Sequence, residues 1–165
     1  MNEIFTRRSI RKYTNEPVSQ EDITYLMKAA MAAPSAKNQQ PWQFVVIDDR
    51  ELLEKVPQFH PYSKMLLEAP LAIAVCGDLS GEYGGMWVQD CSAATQNILL
   101  AAESKGLGAV WLGIHPIEKL EQQVINLLNL PEGIIPLNLI AVGHPAEKKE
   151  PANRYHEAKV HYNKW

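Results

Sequence analysis

The chain has 165 residues, 46% of them hydrophobic and 21% charged, with a formal net charge of −3. That length suits a single domain, 1–165, with a real core, and the composition excludes a disordered or fibrous chain. The acidic balance gives no general attraction to nucleic acid or anionic lipid, and no apolar run approaches the roughly 20 residues a membrane helix needs.

The first residues carry charge from Arg7 to Lys12 where a signal peptide would have an apolar core, so a cytoplasmic protein is expected. The two cysteines, Cys76 and Cys91, each lie inside an apolar stretch, form no CxxC and have no histidine at ligand spacing. They are expected as small buried core residues, and no metal site is expected.

In chain order, the first ten or so residues read as a short helix with Ile4 and Phe5 on one side. Ser19 with Asp22 three residues on resembles a capping box, and Ile23, Leu26, Met27 and Ala30 continue at helical spacing until Pro34 stops the helix. Pro34 to Pro41 is a polar loop. Trp42 to Ile47 is dense in aromatic and β-branched residues and predicts a strand. Asp48-Asp49 turns the chain into a short helix near Glu51 to Val56, and a second short helix covers Ser63 to Glu68. The continuous apolar run from Leu71 to Cys76 predicts a buried strand.

The longest helix is expected from Met86 to Lys105, with Trp87, Cys91, Ala94, Ile98 and Ala102 in one apolar stripe and Gly106 and Gly108 at its end. Ala109 to Leu112 is a third strand, Ile117 to Leu127 a further helix, and Leu137 to Val142 a fourth strand. Strands alternating with helices predict an α+β, three-layer αβα architecture. Residues 147–165 form an extended tail rich in rings (Tyr155, His156, His161, Tyr162, Trp165). A solvated tail rarely carries so many rings, so this one is expected to dock on a surface such as that of another subunit.

Three segments could carry chemistry. Arg7-Arg8-Ser9-Ile10-Arg11 lies in a twelve-residue stretch of net charge +3 within an otherwise acidic chain. On a helix, Arg7 and Arg11 share a face at i and i+4, and two forked guanidiniums beside a serine hydroxyl suit a phosphate monoester. A solvated basic face or an exposed nucleic-acid patch fits the motif equally well. The loop Pro34-Ser35-Ala36-Lys37-Asn38-Gln39-Gln40-Pro41 offers fixed donors and acceptors to a polar heterocycle, or is an ordinary capped connection. In Gly106–Gly113, a strand ending in glycine lets backbone amides approach a flat ring, while Trp111 reads as core before stacking platform.

No GxGxxG, GxSxG, HExxH or P-loop is present, and none of the five histidines (His60, His115, His144, His156, His161) pairs with an acid or nucleophile in the sequence pattern. Binding loops without side-chain acid–base machinery fit chemistry carried by a cofactor.

The segments RRSIRKYTNEPVSQEDITYLMKAAMAAPSAKNQQPWQFVVI, WVQDCSAATQNILLAAESKGLGAVWLG and VGHPAEKKEPANRYHEAKVHYNKW, in that order and spacing, resemble the nitroreductase family of flavoproteins nearly end to end. The resemblance implies a mostly antiparallel central sheet flanked by helices, and a homodimer whose active sites are built by both subunits. It implies bound FMN, with NADH or NADPH as transient co-substrate and a small organic acceptor such as a nitroaromatic, quinone or enone. FMN would carry the hydride, with no catalytic side chain and ping-pong turnover. Arg7, Arg8, Ser9 and Arg11 match positions holding the phosphate, the ribityl chain and the pyrimidine edge. Pro34, Ser35, Ala36, Asn38 and Gln40 match the flavin-lining loop, largely supplied by the partner subunit. Leu112 and Gly113 match backbone near flavin N5, and Arg154 resembles a basic tail position completing the phosphate site. The stretch from His60 to Glu68 is shorter than in larger members, and no flavin contacts are carried over to it. A specialised flavoprotein of the same fold (dehalogenation or flavin donation) and a non-enzymatic interaction module are the competing readings.

Overall fold

A computed structural model describes residues 2–80 and 84–165; Met1, inside the expected first helix, lies outside them. Four strands form one antiparallel sheet in the order β1-β2-β4-β3, with β1 at Trp42–Ile47, β2 at Leu71–Asp78, β3 at Gly108–Gly113 and β4 at Ile134–Gly143. Alternation along β2 sends Leu71, Ile73 and Val75 to one face and Ala72, Ala74 and Cys76 to the other. Both faces are buried, which is why its sequence is an unbroken apolar run.

Helices α2 (Gln20–Met31) and α4 (Trp87–Ser104) cover the first face through Leu26, Ala30, Cys91, Ala94 and Ile98. Helices α3 (Arg50–Lys55) and α5 (Glu118–Leu128), with a 3₁₀ turn at Lys64–Leu67, cover the second through Leu53, Leu66, Leu120 and Val124. Each fully buried leucine or isoleucine contributes about 1.5–3 kcal/mol. The expected three-layer α+β architecture is what the chain adopts.

Helix ends follow their local chemistry. Ser19 Oγ accepts the Asp22 N–H at 3.0 Å and donates to Asp22 Oδ2 at 2.7 Å, satisfying one of the orphan donors at the start of α2. Asp49 caps α3 in the same way through the Leu52 N–H. Gly106 ends the run after α4 at φ 71°, a left-handed position that suits glycine.

The N-terminal expectation fails. Helix α1 covers only Glu3–Thr6, and Arg7 departs from helical geometry at ψ 129°. Ser9 then bridges Ala109 in parallel, the Ile10 N–H donates to the Ala109 carbonyl at 3.1 Å, and Tyr13 bridges Pro145. Ile10 packs so closely on β3 that a Cβ on Gly108 would lie 2.7 Å from Ile10 Cγ2. This pairing with a sheet edge overrides the helical reading, so Arg7 and Arg11 do not share a helix face.

Candidate functional site

The segment after α1 is gripped by the start of the tail. Arg8 Nη1 donates to the Glu150 carbonyl, Lys149 Nζ donates to the Ser9 carbonyl at 2.7 Å, and the Arg11 N–H donates to Glu147 Oε1 at 2.6 Å. Lys149 also pairs with Glu147 at 3.1 Å. The Arg11 amide, and after it Lys149, hold the Glu147 carboxyl below its usual range. The expected extended connector is thus a strap over Arg8–Arg11.

Beyond the strap, Arg154 comes close enough to Arg7 to act on its charge. Burial first, and then the positive charge of Arg154, lower the Arg7 pKa. Arginine remains protonated regardless. The Glu103 carboxylate opposes these effects, and the Arg8 guanidinium adds to them. Positive charge therefore gathers here from Arg7, Arg8 and Arg154.

Arg11 stands at a different place. It lines a cleft of about 290 Å³ with His60, Tyr62, Trp111, Leu112, Gly113 and Ile117. The cleft floor is the end of β3: Leu112 is buried, Gly113 is exposed, and a Cβ on Gly113 would meet nothing within 4 Å. Bare backbone there leaves room for a flat ring to lie close. The structure therefore brings Arg11, Leu112 and Gly113 together. Trp111 is half-buried and belongs to both readings, packing on the core and lining the cleft.

The polar loop lies elsewhere in the chain. It leads into β1, one edge of the sheet, whereas β3 is the other edge. Three strand spacings of roughly 4.8 Å put the two edges about 14 Å apart. Pro34, Ser35, Ala36, Asn38 and Gln40 are thus not brought to the Arg11 cleft within one chain. The loop is nonetheless a built structure. Lys37, Asn38 and Gln40 have φ of 52°, 56° and 53°, each left-handed residue costing roughly 1–2 kcal/mol where it is not glycine, and less for asparagine. The Gln40 N–H donates to Ser35 Oγ at 3.0 Å, and the Ala36 N–H to Asp90 Oδ1 at 3.0 Å.

Two features of the histidines depart from the sequence reading. His115 Nδ1 lies 2.7 Å from Glu121 Oε1, an acid partner that the pattern did not reveal, and its ring meets Trp87 edge to face at 4.7 Å. The six-residue separation spans a loop and the first turn of α5, which fits no helical template. His60, buried in the cleft wall, bonds to the Gly113 carbonyl. His60 and Tyr62 were missed as cleft residues because the His-Pro-Tyr triplet has no periodicity. The expected core role of the cysteines holds: Cys76 and Cys91 are both buried, and burial raises each thiol to about 12.

The chain matches the sequence profile of the "Nitroreductase family" over residues 4–73 and 57–144. It belongs to the nitroreductase family. A relative from Methanothermobacter thermautotrophicus, named "Putative NADH dehydrogenase/NAD(P)H nitroreductase", is 48% identical over 163 residues, covering 98% of this chain and 85% of its own. A crystal structure of a Bacteroides thetaiotaomicron protein of the same name superimposes with a TM-score of 0.96 at 48% identity, covering 99% and 96% of the two chains. An FMN-dependent nitroreductase from Clostridium difficile superimposes at 0.89 with 31% identity, covering 96% of each chain. Nitroreductase-family proteins are oxidoreductases, and the chain is an enzyme of that class.

Among the described residues no helix is long and apolar enough to cross a membrane, and no cluster of metal-ligating side chains occurs.

Proposed function

We propose that this protein is a cytoplasmic, homodimeric FMN-dependent oxidoreductase that passes reducing equivalents from NADH or NADPH to a small organic acceptor. Nitroaromatics, quinones and enones are the flat acceptor classes that suit a cleft floored by bare backbone at Gly113. The observation that carries the reading is the meeting of Arg11, Leu112 and Gly113 at one cleft, with Arg154 near enough to Arg7 to act on its charge. Relatives support the same reading: an FMN-dependent nitroreductase of Clostridium difficile and the NADPH:FMN oxidoreductase of Vibrio harveyi, solved with NAD+, share the fold with TM-scores of 0.89.

The donor set fits FMN. Arg7, Arg8, Ser9 and Arg154 hold the phosphate and ribityl end by charge and by hydrogen bonds. Arg11 stands at the pyrimidine edge, where a fixed cation favours negative charge on the ring. Leu112 and Gly113 present backbone to the reacting centre. Pro34, Ser35, Ala36, Asn38 and Gln40 belong to the partner's half of the site, in keeping with their distance from the cleft within one chain. Bound FMN supplies hydride transfer between the nicotinamide and the acceptor. The nicotinamide and the acceptor take the same open flavin face in turn, and turnover is ping-pong. The chain 1–165 acts as one domain, with 147–165 reaching the partner.

Heat release of the cofactor and chromatography recover FMN and no FAD on this reading. Initial rates at several fixed acceptor concentrations give parallel double-reciprocal lines. Recovery of FAD, or intersecting lines, contradicts it.

A further inference from the structure

The loop from Pro34 to Pro41 holds its shape against backbone preference. Lys37, Asn38 and Gln40 all have positive φ, a region that glycine enters readily and asparagine tolerates. Such a run persists only where its surroundings over-determine it. Within the loop the restraints are local: the Asn38 N–H donates to the Ser35 carbonyl at 3.0 Å, the Gln39 N–H to the Ala36 carbonyl at 3.1 Å, and the Gln40 N–H to Ser35 Oγ at 3.0 Å. They close the loop on itself, and its end is tied to the sheet where the Asp78 N–H donates to the Pro41 carbonyl at 2.7 Å.

The fastening to α4 is Asp90. Its Oδ1 accepts the Ala36 N–H at 3.0 Å, while the residue is only 6% exposed. Its other oxygen, Oδ2, is buried with no hydrogen-bond partner among the described residues. As a purely structural choice this is poor, because a buried carboxylate with one oxygen unmatched costs more than an apolar side chain of similar size. Asp90 also rises from the first turn of an 18-residue helix whose Cys91, Ala94 and Ile98 lie in the core. A side chain on so rigid an element fixes what it holds to within a fraction of an ångström.

We infer that Asp90 is a positioning residue: through the Ala36 N–H it keeps the strained 35–40 loop in the one shape that receives the flavin. This rests on the reading above that the loop lines FMN. Asp90 touches no reacting atom. It acts by sparing the loop the cost of ordering when the cofactor arrives.

The test pairs hydrogen exchange of the apo-protein with FMN titration. In Asp90→Ala the amides of Ala36, Asn38, Gln39 and Gln40 exchange at least about tenfold faster, while those of α4 beyond its first turn keep their protection. FMN affinity falls about tenfold, equivalent to roughly 1.4 kcal/mol. Asp90→Asn, which keeps an acceptor for Ala36, retains most of both. Ala36→Pro removes the donor with Asp90 intact, at a position where proline suits the start of a helical turn. It gives the same loss should Asp90→Ala fail to fold. Adding Lys37→Gly to Asp90→Ala recovers part of the affinity, since glycine removes the left-handed penalty, and Lys37→Ala recovers none. Unchanged loop exchange in Asp90→Ala, or lost affinity with the loop amides still protected, overturns the inference. Should the wild-type chain take up no FMN, the flavin reading fails, and the exchange rates alone still decide whether Asp90 holds the loop.

Discussion

His60 Nε2 lies 3.0 Å from the carbonyl oxygen of Gly113, while His60 Nδ1 accepts the backbone N–H of Tyr62 at 3.3 Å. A carbonyl on one side and an N–H on the other assign the proton to Nε2. The neutral imidazole thereby joins the segment before β2 to the last residue of β3, and Ser63 Oγ closes the turn by donating to the His60 carbonyl at 2.9 Å. One buried ring fixes both the floor and one wall of the cleft.

Replacing His60 with phenylalanine keeps a ring of similar size but strips both partners. The Gly113 carbonyl and the Tyr62 N–H are left unmatched, at a cost of about 1–3 kcal/mol. Urea unfolding of His60→Phe shows a lower midpoint with an unchanged slope. An unchanged midpoint means that water satisfies both groups and the ring is not a staple.

The two thiols give a prediction in pH. Burial raises Cys76 and Cys91 from 9.0 to about 12. A raised folded value stabilises the fold below the unfolded value of about 9, and this contribution is lost as pH climbs from there through about 12. Stability therefore declines over that window, and Cys76→Ser with Cys91→Ser flattens the decline while lowering stability at neutral pH. A thiol reagent at pH 8 labels neither cysteine in the native protein and both after denaturation. Rapid native labelling contradicts the burial.

Much of this fold is legible in local chemistry. The Ser19–Asp22 cap, the β-branched run of β1, the apolar run of β2 and the glycine after α4 each express a short-range preference, and each element lies where the sequence puts it. Arg7–Arg11 does not, because its structure is decided by Ala109, a hundred residues away, whose carbonyl takes the Ile10 N–H. The arginines stand out in the sequence by residue type, but their arrangement does not follow from it. The cleft was half legible: Arg11, Leu112 and Gly113 carry a family pattern, whereas His60 in the cleft wall and Asp90 beneath the 34–41 loop act through backbone partners that no local pattern encodes. The His115–Glu121 pair was hidden for the same reason.

The tail gives the dimer prediction. Tyr155 and Tyr162 are exposed and Trp165 is 101% exposed, with the His161 ring stacked on Trp165 at 4.2 Å. Rings so exposed on one chain suit burial against a second copy. Deleting residues from Tyr155 onward leaves Arg154 and the sheet intact, so the fold keeps its far-UV spectrum. Sedimentation of the truncated protein at micromolar concentration shows dissociation and a loss of bound flavin together. A truncated protein that remains dimeric and flavin-loaded contradicts this role.

FMN affinity reports whether the arginines on the strapped N-terminal segment hold the cofactor. Each charge-assisted contact contributes about 1.5–3 kcal/mol, so Arg7→Ala and Arg11→Ala each weaken FMN binding roughly ten- to a hundredfold. Arg11→Lys does not fully restore it, because an ammonium lacks the planar fork. Lys12→Ala serves as the control: Lys12 is exposed, lies outside the residues lining the cleft, and is tied down by its backbone carbonyl, which accepts the Ala146 N–H at 2.9 Å. The measurement is quenching of FMN fluorescence as apo-protein is titrated in. Arg7→Ala and Arg11→Ala bind FMN weakly while Lys12→Ala binds as wild type does; equal affinity for wild type and these three variants would overturn the assignment.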